Sequence, residues 1–259
     1  MHVKQGPYRT YAIGMTIEAG SVPRALYWDT PHPYHYARLH LLENGRELLI
    51  VGGEDHRSGE EDDGEARFSA LEEWTRDRFP DGDVAWRWSG QVMEPVDGLG
   101  LIGRDCFDQP NVFIATGDSG QGMTHGAIAG LLLGDLIAGR DNPWTGLYDP
   151  SRFPVQSTDF YQENLDILWH FVEWFTSGDV DDADAVEPGE GAVIRRGLEK
   201  VAVYRDEEGG LHERSAYCPH LGCVVAWNST EKMWHCPCHG SRFLCDGRLV
   251  GGPARHDLF

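Results

Sequence analysis

The chain has 259 residues, 41% of them apolar, which suits one large domain or two ordinary ones and is too many for a disordered chain. Its 42 acidic residues stand against 22 basic ones, a formal charge of −20, which excludes a nucleic-acid surface and an anionic membrane surface as partners. No run reaches the roughly 18 apolar residues of a membrane helix, because the longest candidate, Ile128 to Ile137, is broken by Gly134 and Asp135. Met1 to Pro7 contains no apolar leader, so a cytoplasmic protein with no membrane span is expected.

Four β-rich runs lie in the first part of the chain: Tyr11 to Glu18, Tyr34 to Leu41, Glu47 to Val51 and Asn111 to Ala115. The acidic stretch from Glu54 to Glu65 has no apolar periodicity and reads as a solvated connector. Ser69 and Glu72 form a capping-box pattern before Leu71 and Trp74, which predicts a helix from there to Pro80. A second helix is expected over Met123 to Ala138, with Ile128, Leu131, Leu132 and Leu136 on one face and Gly139 as its stop. Gly126, Gly130 and Gly134 recur at four-residue spacing, which makes a face that a neighbour can approach closely. A third helix is expected over Asp159 to Phe175, with Leu165, Leu168, Trp169 and Val172 as core residues. A second acidic stretch, Gly178 to Asp184, is the main boundary candidate. Beyond it the chain reads as short strands and turns, among them Ala192 to Arg196, Lys200 to Arg205 and Leu211 to Ala216.

The six cysteines carry the most specific signal. Four of them fall in two short loops, Cys218-Pro219-His220-Leu221-Gly222-Cys223 and Cys236-Pro237-Cys238-His239-Gly240-Ser241. Each loop offers a thiolate and an imidazole. Zinc fingers of the two-Cys, two-His type instead keep each ligand type in its own pair. Two thiolates on one iron and two imidazoles on the other is the ligand set of a Rieske [2Fe–2S] centre. Cys218 and Cys236 are therefore assigned to one iron, and His220 and His239 to the other. A zinc site, or a module held by disulfides alone, is the alternative. Cys106 and Cys245 are left over and are expected to be buried thiols.

The loops resemble those of the Rieske proteins of respiratory and photosynthetic cytochrome complexes, which carry C-x-H-x-G-C and C-P-C-H-G-S. The resemblance implies a disulfide between Cys223 and Cys238 that ties the loops together over the cluster. It implies that Ser241 donates a hydrogen bond to a bridging sulfide, and that Gly252-Pro253-Ala254 is part of a loop covering the cluster. Phe243 stands where the high-potential members have a Tyr that donates to a ligand sulfur. Phe cannot donate, so a potential below theirs is expected.

Upstream, Gly117-Asp118-Ser119-Gly120-Gln121-Gly122 links a strand to a helix start, a place where backbone can approach a ligand and anions are favoured. It is not a G-x-G-x-x-G dinucleotide fingerprint. Together with Trp86-Arg87-Trp88-Ser89-Gly90-Gln91, Asp97-Gly98-Leu99-Gly100-Leu101-Ile102-Gly103 and Asn111 to Thr116, it resembles the C-terminal half of FAD-dependent amino-acid and amine oxidases of the glycine-oxidase type. The combination resembles FAD-dependent oxidoreductases fused to a C-terminal Rieske domain. The resemblance implies an α+β fold: an oxidase-like substrate domain with a mixed or antiparallel sheet and helices, then a small all-β Rieske domain. It divides the chain into residues 1–155, a helix and acidic linker over 156–184, and the Rieske domain over 185–259. It places Gly117, Gly120, Gly122, Met123 and Thr124 against FAD. No G-x-G-x-x-G strand precedes Tyr11, so the chain resembles the second half of such a protein, and a partner chain supplying the nucleotide-binding half is one expectation. The family's substrate-carboxylate Arg is matched here by Val92, which turns the expected donor from an amino acid toward an amine or another small molecule.

The expected function is oxidation of a small-molecule electron donor at a flavin, with electrons passed through the cluster to an acceptor. The alternatives are a soluble Rieske electron carrier with an oxidase remnant, and a redox sensor built on Cys223 and Cys238. His125 follows the Gly loop and is given no catalytic role, while His32, His35 and His40 are candidates for the substrate side. Of the basic residues only Lys4, Lys200 and Lys232 are Lys. A surface so rich in acid and poor in Lys fits an ordinary acidic protein or, preferably, a halophilic one, since the Debye length falls to about 3 Å in molar salt and self-repulsion then costs little.

Overall fold

The computed structural model describes residues 3–31, 33–107, 109–153 and 158–259. The first part contains β1 (Gln5–Ile17), β2 (Leu26–Trp28), β3 (Tyr36–Leu41), β4 (Glu47–Arg57), α1 (Gly64–Arg76), β5 (Asp83–Pro95), β6 (Leu101–Arg104), β7 (Phe113–Thr116), α2 (Gly122–Ile137) and α3 (Thr145–Tyr148). Strands β2-β3-β4-β1-β5 form one antiparallel sheet, and β6 pairs with β7 beside it. Alternation along β1 sends Tyr11, Ile13, Met15 and Ile17 to one face, where they pack with Leu49, Val51 and with Phe68 and Leu71 of α1. Each such buried side chain contributes about 1.5–3 kcal/mol. A smaller core of Ile102, Ala129 and Leu132 joins α2 to the β6–β7 hairpin.

The chain continues through α4 (Thr158–His170) and short 3-10 turns at Val172–Phe175 and Ala183–Ala185. It ends in an all-β module of β8 (Gly191–Arg196), β9 (Glu199–Arg205), β10 (Leu211–Ser215), β11 (Ala226–Asn228), β12 (Met233–His235), β13 (Arg242–Leu244) and β14 (Leu249–Gly251). Strands β10-β9-β8 form one sheet and β11-β12-β13-β14 another, around a core that includes Val193, Ala202, Trp227, Trp234 and Phe243.

Several expectations are corrected. The capping box at Ser69 does not form. Helix α1 begins five residues earlier, its first N–H groups bonding the Asp63 carbonyl, and the Ser69 hydroxyl turns back to the Glu65 carbonyl inside the helix. The acidic stretch after Val51 is not all connector: Glu54 to Arg57 complete β4, and Ser58 is fully buried. The stretch before Ala185 is packed too, with Val180 bridging Ile194 and joining Val186 and Ala192 in a small core. In α4 it is Ile167 and His170 that turn inward, so the expected core residues Leu165, Leu168, Trp169 and Val172 are exposed. Cys106 is exposed, not buried, and Cys245 is half-buried. On α2 a Cβ added at Gly126, Gly130 or Gly134 would meet nothing within 4 Å outside the helix's own backbone among the described residues.

Candidate functional site

The two Cys-containing loops fold in the same way. The Cys218 N–H donates to the Cys223 carbonyl and the Cys218 carbonyl accepts from Gly222, both at 2.8 Å. The Cys236 N–H donates to the Ser241 carbonyl at 2.8 Å and the Cys236 carbonyl accepts from Gly240 at 3.0 Å. The turn requires a left-handed residue at its fourth step, supplied by Gly222 at φ +82° and Gly240 at φ +75°. Paired in this way, the loops bring Cys218 and Cys236 together, both 1% exposed, and set the His220 and His239 rings edge to face with centroids 4.9 Å apart. Cys223 and Cys238 form a disulfide between the loops. Their sulfurs also lie within 4.8 Å of Cys236, but a disulfide leaves neither as a thiolate ligand.

The donor set fits a metal centre. The Cys218 thiol is lowered to about 7, first by its hydrogen bond with Cys236, then, against burial, by the N–H groups of His220 and Leu221 and the Ser241 hydroxyl. Cys236 is raised by the bond to Cys218 and by burial, while the N–H groups of Cys238 and His239 work the other way. Both loops thus aim backbone donors at sulfur, an arrangement that stabilises thiolate. Ser241 is fully buried and its Oγ accepts the Ala254 N–H at 3.1 Å, which fastens the loop of Gly252, Pro253 and Ala254 over the site. Phe243 is fully buried in the same core and brings no donor.

One residue of the first part and one of the connecting 3-10 turn reach this site. Gln91 Nε2 on β5 donates to the Gly240 carbonyl at 3.0 Å, and the Trp174 indole N–H donates to the Gly222 carbonyl at 2.8 Å. Nothing in the sequence pattern flagged either role. A buried ion pair between Arg9 of β1 and Glu231 of the β11–β12 turn also crosses the seam. There, a cleft of about 390 Å³ is lined by Gln5, Gln91, Met93 and Thr116 on one side and by His239 and Pro253 on the other.

Met93 and Thr116 also line a second cleft, of about 320 Å³, at the Gly loop. Of the expected flavin contacts, Gly117 and Gly122 line it, Gly120 faces the Tyr34 hydroxyl, and Met123 and Thr124 lie exposed at the start of α2. The Gln121 side chain makes no cap bond, which leaves the first N–H groups of α2 to other acceptors. His125 lines this cleft, and its buried Nδ1 has no partner among the described residues, a place for a ligand to hydrogen-bond. Of the histidines expected on the substrate side, His32 lies outside the described residues. His35 is buried between Asp29 and Glu54 at 3.0 and 2.9 Å, and His40 is exposed on β3, so neither reaches a cleft.

Comparison with known proteins matches two stretches of the chain to two families. The model of the FAD dependent oxidoreductase family matches residues 2–136, more than half of the chain, and that of the Rieske [2Fe-2S] domain matches residues 173–259. The chain is 32% identical over 235 residues to the Rieske 2Fe-2S iron-sulfur protein YhfW of Bacillus subtilis (strain 168), covering 90% of this chain and 46% of that protein. It is 55% identical over 54 residues to the cytochrome b6-f complex iron-sulfur subunit of Microcystis aeruginosa, 21% of this chain and 30% of that one. Glycine oxidase from Geobacillus kaustophilus is similar over 58% of this chain and 40% of its own, at 16% identity and a TM-score of 0.46. The chain thus spans about half the length, or less, of the curated relatives it matches. The two family matches imply FAD and a [2Fe–2S] cluster as cofactors. The chain belongs to the FAD dependent oxidoreductase family and carries a Rieske [2Fe-2S] domain at its C-terminal end.

Proposed function

We propose that this chain binds a small electron donor, an amine or a molecule like it, beside a flavin and passes the donor's electrons through its Rieske domain to an acceptor. When bound, the flavin supplies a two-electron acceptor and the cluster a one-electron carrier. Cys218 and Cys236 would hold one iron as thiolates, and His220 and His239 the other as neutral imidazoles. Ser241 would stabilise charge on sulfur, whereas Phe243 adds none. The loop from Gly117 to Gly122 and the first turn of α2 would hold polar and phosphate-side groups of FAD. A partner chain or further sequence carrying a nucleotide-binding half would complete that site against the open glycine face of α2.

The reading is carried by the seam: Met93 and Thr116 line both the Gly-loop cleft and the cleft that holds His239. The two clefts therefore adjoin at these side chains. The test is a visible absorption spectrum of the purified protein before and after dithionite, together with flavin fluorescence on titration with FAD. Broad bands that bleach partly on reduction, together with quenching of added FAD, support it. A protein that stays colourless after reconstitution with iron and sulfide removes the cluster role, and one that leaves FAD fluorescence unchanged removes the flavin role.

A further inference from the structure

We infer that His35 is a positioning residue for a cleft of about 510 Å³ beside the Gly loop, and that a proton on its ring holds two walls of that cleft in place. Pro33, Tyr34 and Asp55 are among the residues that line the cleft. His35 does not line it, but it follows Tyr34 in the chain and binds Glu54, the neighbour of Asp55. The inference goes beyond the oxidase reading, because it holds whatever the cleft takes.

The clamp joins three elements. His35 Nδ1 lies 3.0 Å from Asp29 Oδ2, just past β2, and Nε2 lies 2.9 Å from Glu54 Oε1 on β4. The ring stacks on Trp74 of α1, with centroids 4.5 Å apart and planes 14° from parallel. Only 7% of His35 is exposed. An imidazole has two ring hydrogens to donate only in its charged form. Both nitrogens here face carboxylate oxygen, so the charged ring satisfies both contacts and a neutral ring satisfies one. Asp29 is held firmly, since it also accepts the His35 backbone N–H at 2.6 Å. Burial would raise its carboxyl, but the bonds from the His35 backbone and ring outweigh burial and lower it. Arg78, 4.6 Å from the Trp74 ring, is the charge that opposes the imidazolium.

Glu54 is the weaker side. Among the described residues its carboxylate has no partner except His35. Its backbone sits in the left-handed region at φ +57°, which a residue other than glycine keeps only when its surroundings impose it. Gly53 beside it, at φ +149°, lets the Tyr34 carbonyl come so close that a Cβ there would lie 2.5 Å from it. Loss of a ring proton turns a lone pair toward one carboxylate at hydrogen-bond distance. Glu54 then loses its bond and the restraint on its strained backbone, and Asp55, the next residue, moves with it. Tyr34 is tied to the same point through Gly53. Burial, then Asp55, Glu94 and Tyr36, push the Tyr34 phenol up to about 12, so it is not the group that changes charge near neutral pH. The charged ring therefore shapes the cleft at low pH and releases it as pH rises.

The test is NMR of the full chain from about pH 5 to 9, where an imidazole can change charge. The His35 ring nitrogens are assigned by their loss in His35→Gln, and the Tyr34 and Asp55 backbone amides are followed in the same samples. The ring is expected to pass from two hydrogens to one, with both amide shifts moving at the same midpoint. In His35→Gln the two amides are expected to show no step there. Glu54→Gln removes one carboxylate and keeps the size of the side chain, so it is expected to fold and to move the midpoint about one pH unit lower. A role in packing alone would leave the midpoint where it is. A ring that keeps one protonation state throughout, a ring that titrates without the two amides, or an unchanged midpoint in Glu54→Gln would overturn the inference. None of these readings needs FAD. A chain that passes them and leaves FAD fluorescence unchanged keeps this inference and loses the flavin role, and one that quenches FAD while the ring stays in one state does the reverse.

Discussion

Gln91 Nε2 donates to the carbonyl of Gly240, the residue between His239 and Ser241. A side chain of the oxidase sheet thus fixes the tip of the second Cys-containing loop. Trp174 does the same for the first loop at Gly222. Each left-handed glycine therefore has its carbonyl held from outside the β-module.

Gly240→Ala should break this seam. Its Cβ would lie 2.5 Å from Gln91 Nε2 and 2.8 Å from Pro7 Cβ, on a backbone at φ +75°. The left-handed strain alone costs of order 1–3 kcal/mol. We expect a fall in melting temperature and a changed visible circular dichroism spectrum of the cluster. Gln91→Ala removes the hydrogen bond, worth about 1 kcal/mol, together with the side chain's packing at the seam, and should keep the cluster's iron content. An unchanged melting temperature for Gly240→Ala would show that the seam is not closed in solution.

The disulfide and the ligands should separate cleanly. Cys218→Ser is expected to abolish cluster iron, measured by iron and sulfide analysis. The double change Cys223→Ser and Cys238→Ser removes a cross-link spanning 15 residues, worth about 3 kcal/mol on the chain-entropy model. It should lower denaturation midpoints while iron remains bound in freshly prepared protein. Equal loss of iron in both variants would assign the pair a ligand role.

The cluster loops were legible because their chemistry is local: a thiolate, an imidazole and a left-handed glycine at fixed spacing specify a turn without the rest of the fold. In the oxidase sheet β1, β3 and β4 were legible as β-rich runs and α2 by its period, whereas β2 and β5 were not read as strands. What the sequence hid were contacts between distant residues. Gln91 meets Gly240 only after β5 is placed against β1 and the module docks on their ends. Helix α4 misled for the opposite reason. Its most apolar stripe, Leu165, Leu168 and Trp169, faces solvent, while the docking side uses Ile167 and the polar His170. Periodicity locates a stripe but does not say what covers it.

Phe243→Tyr should raise the midpoint potential of the cluster. The ring is fully buried in the core that contains Cys218 and Cys236. A phenol there gains a donor that stabilises the extra negative charge of the reduced state. Redox titration followed by circular dichroism reads the shift, and a potential equal to or below that of the natural protein would place the ring edge away from sulfur.

The docking of α4 should weaken as pH rises above neutrality. His170 is buried, and burial opposes its charge, but hydrogen bonds to Glu173 at 2.7 Å and Glu60 at 3.3 Å outweigh it and raise its pKa to about 9. The folded value lies above the usual 6.5, so the charged imidazole stabilises the fold in full below about pH 6.5, and the contribution is lost as pH rises through about 9. The shift corresponds to at most about 3 kcal/mol. Glu60 works from the other side: its carboxyl is lowered chiefly by the bond to His170, so its contribution disappears as pH falls through its own range. Arg57, 3.5 Å from Glu60, keeps part of the attraction when His170 is neutral. Denaturation midpoints measured from pH 6 to 10 should therefore fall for the natural chain and stay flatter for His170→Gln. Parallel curves for the two proteins would show that the imidazole carries no charge in the fold.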